Sequence, residues 1–368
     1  MIGTLPGVRT TSAMKVRGAV RDATLAASVH NCQPWRFVVG SDSVEIWLED
    51  GPRPTVIDPL GRWAMASLGA AAANLELGLR RRLEREVRIE PLSGACVAAA
   101  DGRRGRGVAV PSGPAHRPVV VANWGRDHVP ATARERELHA AVGARRTART
   151  PLYGELDPQV WKSLAAAVRG RGSVDFVEAA PGNSTALAIG ARALRPDAAR
   201  TAELLALTAE VDARWCDDPA YLAEIARWAK VSGGRGIPTG AYGRRDASGR
   251  VAGRDFSVRL DGPPDRLVDD YFEITPQLLV VVTVGDSPGE QVLAGAAVQR
   301  AMLAATAAGL GIGVLGQLVE DADARRRASD ALGLGGGLVQ QVLRLGRPAA
   351  DDPRPARTPR RSVRRVVS

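Results

Sequence analysis

The sequence predicts an α+β protein with mixed β-sheets flanked by long helices, built as two fused halves. Three observations carry this. Short β-branched runs around Gly, Asp and Ser turns mark strands and a hairpin. Two long Ala-rich segments, 63–85 and 290–309, have the length and composition of helices. Each contains a Gly-Ala-Ala triplet, Gly69-Ala70-Ala71 and Gly295-Ala296-Ala297, and counting onward without gaps places the strand at 87–92 on residues 313–318.

Taken in order, residues 13–27 read as a helix running into a polar loop, Ser28 to Trp35. Strands at 36–39 and 44–49 flank the turn Gly40-Ser41-Asp42-Ser43. The first Ala-rich helix and the strand at 87–92 follow, and the Gly-, Arg- and Pro-rich stretch 94–116 reads as a loop or insertion. A helix from about 131 ends at Ala144 to Thr147, and Asp157-Pro158 caps and opens another. A strand at 173–178, helices at 184–194, 198–213 and 218–230, and a polar loop from 232 to about 261 come next. The chain then reads as a buried strand at 277–284, the second Ala-rich helix and a strand at 312–319.

With 45% apolar and 24% charged residues among 368, the composition is that of a folded globular chain of one large or two ordinary domains. Four Phe and four Tyr leave most of the core to Ala, Val and Leu. The net charge of +10 is carried by arginine, since lysine occurs only at 15, 162 and 230. Basic and acidic residues interleave until the tail at 354–365, and stacking platforms for single strands are missing, so nucleic acid is not the expected partner. Cys32, Cys96 and Cys216 form no CxxC, and this odd, sparse set fits a reducing compartment. No signal-peptide core and no run of the roughly 18–20 apolar residues that a membrane span needs are present. A cytoplasmic, soluble protein acting on a small molecule is the expectation.

Two motifs carry chemistry. Ser28-Val29-His30-Asn31-Cys32-Gln33-Pro34-Trp35 combines small polar groups, a proline-stiffened backbone and a bulky anchor, and suits a flat heterocycle rich in acceptors. The same residues also suit a helix end entering an edge strand with Trp35 in the core. Arg145-Arg146-Thr147-Ala148-Arg149 offers guanidinium forks and a hydroxyl to a phosphate, or forms a solvated basic face. Gly311 to Gly316 matches GxGxxG but follows a helix and opens a strand, the reverse of the dinucleotide fingerprint. Four scattered histidines argue against a metal at His30 and Cys32.

The chain resembles the nitroreductase superfamily, in which a Ser-x-x-Asn-x-Gln-Pro-Trp loop contacts the isoalloxazine and ribityl chain of FMN. That resemblance assigns Ser28, Val29, His30, Asn31 and Gln33 to the flavin. Arg145, Arg146, Thr147 and Arg149 look like the family's Arg-Arg-Ser-x-Arg phosphate motif. Pro359-Arg360-Arg361-Ser362-Val363 resembles its closing segment, with Arg361 reaching the phosphate and Arg360 in reserve. Backbone around Gly316 and Gln317 would face the flavin ring. The motif order is unusual, because the Gln-Pro-Trp loop lies only in the first half and the arginine motif only in the second. Such complementary halves imitate a two-fold dimer and resemble the Acg-type branch of the superfamily, long single chains with one FMN under a lid. The implied arrangement is a pseudo-dimer, monomeric as a chain, with halves at 1–130 and 131–368 and a lid at about 228–260. The implied function is an FMN-dependent oxidoreductase using NAD(P)H on a conjugated or electron-poor substrate. The alternative is a closed FMN-storage protein. No side chain stands out as an acid or base, so catalytic residues are not assigned.

Overall fold

One order of elements is used twice. In the first half, α1 (Thr10–Thr24) precedes the hairpin β1 (Trp35–Val39) and β2 (Ser43–Leu48), then α2 (Arg62–Leu83), β3 (Arg85–Pro91) and β4 (Val120–His128). In the second, α3 (Ala133–Ala141) and α4 (Pro158–Arg169) precede β5 (Arg192–Leu194). Between β5 and β8 (Gln277–Thr283) lie α5 (Ala198–Cys216), α6 (Pro219–Trp228) and the short pair β6 (Arg245–Asp246) and β7 (Asp269–Asp270). Next come α7 (Pro288–Ala307), β9 (Gly311–Leu315), α8 (Gln317–Glu320), α9 (Ala322–Ala331), β10 (Leu338–Gly346) and α10 (Val363–Val366). This is a computed structural model, and it describes residues 10–92, 118–169, 191–257, 269–350 and 355–368.

The strands form two four-stranded sheets, ordered β1-β2-β4-β3 and β5-β8-β10-β9, antiparallel throughout. Strand for strand the two orders correspond. The connection between the first two strands is much longer in the second sheet, where it carries α5, α6, β6 and β7. Parallel pairing is confined, among the described residues, to β6 with β7 and to a bridge between Phe37 and Val367. That bridge lays the end of the chain along β1, where Ser368 N donates to Phe37 O at 3.0 Å.

The two Ala-rich helices α2 and α7 pack on each other, and their triplets meet. A Cβ added to Gly69 would stand 1.8 Å from Val292 O, and one added to Gly295 would stand 1.9 Å from Ala66 O. The contact is reciprocal, each glycine facing the turn before its counterpart, as an isologous two-fold interface requires. Only glycine permits backbones this close. Asn74 and Gln299 extend the seam: Gln299 Nε2 donates to Asn74 Oδ1 at 2.9 Å, and Asn74 Nδ2 to Asp22 O at 2.9 Å.

Local chemistry starts these helices. Gly61 adopts a left-handed conformation before α2, so Asp58 supplies the cap, accepting from Trp63 N and Ala64 N at 3.0 Å. Helix α7 opens with Ser287-Pro288 and a capping box to Glu290, two residues ahead of the start read from the sequence. Other expectations need correction. Residues 192–194, read as the end of a helix, pair with β8 as a strand. The strand expected over 312–319 stops at Leu315, and Gln317–Glu320 is helical. Strands β4 and β10 and helix α9 were not anticipated. The expectations for 94–116, 173–178 and 184–190 lie outside the described residues. Among those residues no helix is long and apolar enough to cross a membrane.

Candidate functional site

The loop after α1 is strained and heavily tied down. His30, Asn31 and Gln33 have φ of 44°, 57° and 49°, left-handed values that cost non-glycine residues roughly 1–3 kcal/mol each. Neighbouring segments hold them there. Gln33 N donates to Ser28 Oγ at 3.1 Å, and Gln33 Nε2 to Gly234 O at 2.6 Å. Asn31 Nδ2 donates to Gly236 O at 3.1 Å and Pro359 O at 2.9 Å, and Arg361 N to Gln33 Oε1 at 3.0 Å. Three stretches far apart in sequence, 28–33, 234–236 and 359–361, are thereby knitted together. Gly236 is required in this weave: its φ is 91°, and a Cβ would lie 2.3 Å from Lys230 O.

Two adjoining cavities, about 180 and 110 Å³, flank this loop and share Ser28, Thr147, Arg149 and Ile237 in their walls. The smaller is basic, lined by Arg145, Arg146, Arg149, Arg357 and Arg360. Burial pushes Arg145 down to about 9, and Arg360, Arg146 and Arg149 beside it add to the fall. Burial likewise pushes Arg149 and Arg360 down to about 10. Among the described residues no carboxylate makes an ion pair with Arg145, Arg149 or Arg360, and the Nε atoms of Arg145 and Arg360 have no partner. Buried cations without counter-charge are costly, so an anion placed in this cavity would be stabilised.

The larger cavity is mostly apolar, walled by Trp63, Phe256, Phe272, Met302, Leu315 and the small residues of the α2–α7 crossing. His30 lines it too. Its ring stands edge-on to Phe256 at 5.1 Å, and neither ring nitrogen has a partner among the described residues. Burial, with Arg254 and Arg149 nearby, holds its pKa well below the usual imidazole range, so it is neutral. Residues of the segment after α6, among them Ile237, Tyr242, Arg254 and Phe256, form part of its wall. Trp228, Ile237, Ala241, Tyr242 and Phe256 are buried, several of them packing with Ile57 of the first half. A phosphate joined to a flat ring system would satisfy both cavities.

Nine of the twelve residues singled out in the sequence reach these cavities: Ser28, Val29, His30, Asn31, Arg145, Arg146, Thr147, Arg149 and Gly316. Three do not. Gln33 is fully buried and fastens loops instead of facing the cavities. Gln317, at the start of α8, donates to Asp212 Oδ1 at 2.9 Å and Ala252 O at 3.2 Å. Arg361 points away from the cluster into a fork with Glu49, at 2.5 Å through both terminal nitrogens. Its neighbour Arg360, the reserve candidate, occupies the basic cavity and donates to Asn31 Oδ1 at 2.9 Å. The sequence reading missed Trp63, Arg254, Phe256 and Glu320. The Trp63 and Arg254 side chains carry no local motif, and only the tertiary fold brings them to one wall. Among the described residues no cluster of His, Cys, Asp and Glu is placed to hold a metal ion.

Fold and site together define a two-halved α+β protein with a cationic cluster beside a mostly apolar chamber lined from both halves. Two Mycobacterium tuberculosis (strain ATCC 25618 / H37Rv) proteins are similar to it along nearly the whole chain. One, named "Putative NAD(P)H nitroreductase acg", is 25% identical over 359 residues, covering 95% of this chain and 94% of the relative. The other, named "Putative NAD(P)H nitroreductase Rv3131", is 28% identical over 361 residues, covering 96% and 90%. Along nearly its whole length the chain is thus similar to proteins named as nitroreductases, in agreement with the resemblance its motifs carry. No family model matches. A solved nitroreductase with bound FMN from Bacteroides fragilis NCTC 9343 superposes with a TM-score of 0.35 at 15% identity, covering 60% of this chain and 94% of that one. A superposition at that level adds nothing to the fold described above.

Proposed function

We propose that the chain is an FMN-dependent oxidoreductase that binds one FMN at the junction of its halves. It takes electrons from NAD(P)H and passes them to a small conjugated or electron-poor organic molecule. The observation that carries this is the buried cluster of Arg145, Arg149 and Arg360, which no carboxylate among the described residues pairs, opening beside the apolar chamber. The names of the two relatives agree with it. Arg145, Arg146, Thr147, Arg149 and Arg360 would hold the phosphate, and Ser28, Val29, His30 and Asn31 would border the ring system. When bound, the flavin supplies hydride and electron transfer. The chain orients it, surrounds it with apolar walls and excludes water through the segment at about 228–260.

The repeated order of elements and the reciprocal glycine contact support a fused pseudo-dimer with its boundary near residues 130 and 131. Only the second half brings a phosphate cluster and only the first a Gln-Pro-Trp loop, so one site results. A second reading, storage of FMN, is favoured by the buried Ile237, Tyr242 and Phe256 in the wall of the chamber. The visible absorption spectrum, recorded before and after anaerobic addition of NADPH, separates the two. Flavin bands that bleach support the oxidoreductase. Bands that persist with NADPH and NADH, yet bleach with dithionite, support storage. Failure to take up FMN at all refutes both.

A further inference from the structure

The larger cavity contains a polar group that the smaller one does not share. Glu320 lines it with a side chain only 1% exposed, and Arg254 donates to its Oε1. Among the described residues its second oxygen, Oε2, has no partner, and neither has the buried Trp63 Nε1. Both side chains border Gly316: a Cβ there would stand 3.2 Å from Glu320 Oε1 and 3.3 Å from Trp63 Cζ2. A half-paired buried carboxyl and an unused indole N–H on one wall are unusual, because buried polar atoms are nearly always satisfied. Nothing in the flavin-binding assignment uses them.

The charged groups facing Glu320 are Arg254 from the segment after α6, Arg62 from α2 and Glu224 from α6, with Tyr221 and Asp212 reaching it through Arg254. Burial raises the Glu320 pKa above the usual carboxylate value even against the pull of Arg254 and Arg62. Arg254 keeps its charge, held up by Glu320 and Tyr221. A carboxyl so placed can carry a proton into a dry chamber and leave a carboxylate that already has its counter-ion.

We infer that Glu320 is the proton donor of this chamber, acting on a flat conjugated carbonyl compound whose oxygen also accepts the Trp63 Nε1–H. The inference rests on the oxidoreductase reading above. The aromatic and aliphatic walls take the carbon skeleton, and one acid with one N–H matches one oxygen. For an enone, a bound reduced flavin would supply the hydride that forms the new C–H bond at the β-carbon. The π-electron pair moves through the conjugated system to the carbonyl oxygen. Glu320 gives its proton to that oxygen, its own O–H bond breaking, and the carboxylate left behind pairs with Arg254. The enol product tautomerises to the saturated ketone in water.

The test follows reoxidation of the anaerobically reduced, FMN-loaded protein by 2-cyclohexen-1-one and, separately, by ferricyanide, which takes electrons and no proton. In the wild type, the enone rate falls as pH rises through the raised Glu320 pKa, because the acid form is lost, and the ferricyanide rate shows no such step. Glu320→Gln lowers the enone-to-ferricyanide rate ratio by about 100-fold or more, the usual scale for a general acid, and removes the step. An unchanged ratio with an unchanged pH profile overturns the inference. Infrared difference spectra of the flavin-free proteins give a readout apart from turnover. Asp58 also contributes a protonated-carboxyl band above the ordinary acidic range, so the wild type should show a further component that Glu320→Gln lacks, and identical carboxyl bands in the two proteins overturn the inference. A protein that takes up no FMN refutes the reading beneath it, an outcome the flavin spectrum reports before any acceptor is added.

Discussion

Replacing Gly295 with alanine tests the reciprocal helix crossing. In an ordinary helix interior this change stabilises, since alanine is favoured over glycine by roughly 0.8–1 kcal/mol. Here the new Cβ would stand 1.9 Å from Ala66 O, a backbone atom that no rotamer change can move aside. Helices α2 and α7 must therefore separate by more than an ångström. Overpacking of this kind costs about 1–3 kcal/mol, and a gap of 0.5–1 Å forfeits roughly a quarter to a half of each dispersion contact along the seam. The clash outweighs the propensity gain, and a net loss near 2 kcal/mol corresponds to a fall in Tm of roughly 4–8 °C. Because Ala66, Ala70, Ala294 and Gly295 also wall the larger cavity, flavin retention should fall too. Thermal unfolding followed by circular dichroism is the assay. Gly125→Ala, where a Cβ meets nothing within 4 Å, is the control. A Gly295→Ala protein that melts at or above the wild type refutes the close crossing.

Three further outcomes are expected. Glu224 accepts from the backbone of Thr55, Val56 and Ile57 at 2.5, 2.9 and 3.2 Å; Glu224→Ala should cost about 2–4 kcal/mol in urea unfolding, since bonds to a charged acceptor are worth about 1.5–3 kcal/mol each and are not additive. A loss below about 0.5 kcal/mol would mean that water replaces the carboxylate. Burial raises Asp58 from 3.8 to about 7 in the folded protein, against the pull of two backbone bonds. The native state therefore binds more protons than the unfolded one between about pH 4 and 7, and stability falls as pH rises through that window and levels off above it. Asp58→Asn should remove that slope, and an identical pH profile in the variant would assign the slope to other groups. Finally, Arg145→Ala combined with Arg360→Ala relieves a buried repulsion, so the flavin-free double variant should melt no lower than the wild type. A marked fall would show that these arginines serve the fold.

The architecture was readable where periodicity and local chemistry agree. The two Ala-rich helices, the first hairpin and the cap at Asp157-Pro158 follow from residues within a few positions of each other. Strand β10 was not readable, because Gln340, Gln341 and Arg344 interrupt its apolar run. Arg344 is buried there only because Glu273 and the Thr150 carbonyl, both distant in sequence, receive it. The same physics separates Arg360 from Arg361. Adjacent residues face opposite ways, and Glu49, far along the chain, decides which of them turns from the cavity. Gln317 was misplaced for a local reason: the strand ends at Leu315, and the helical turn after it redirects the side chain to Asp212. The polar loop at 28–33 was recognised from its residue types, but its strain is maintained by the 234–236 and 359–361 segments, which no local pattern announces.

The central claim is that the arginine cluster holds a flavin phosphate. Calorimetric titration of the flavin-free protein with FMN and with riboflavin, which lacks only the phosphate, tests it most directly. Charge-assisted bonds at about 1.5–3 kcal/mol each predict FMN binding at least about 100-fold tighter than riboflavin, roughly 2.7 kcal/mol. Arg145→Ala with Arg360→Ala should erase that preference. Equal affinity for the two flavins in the wild type would contradict the account.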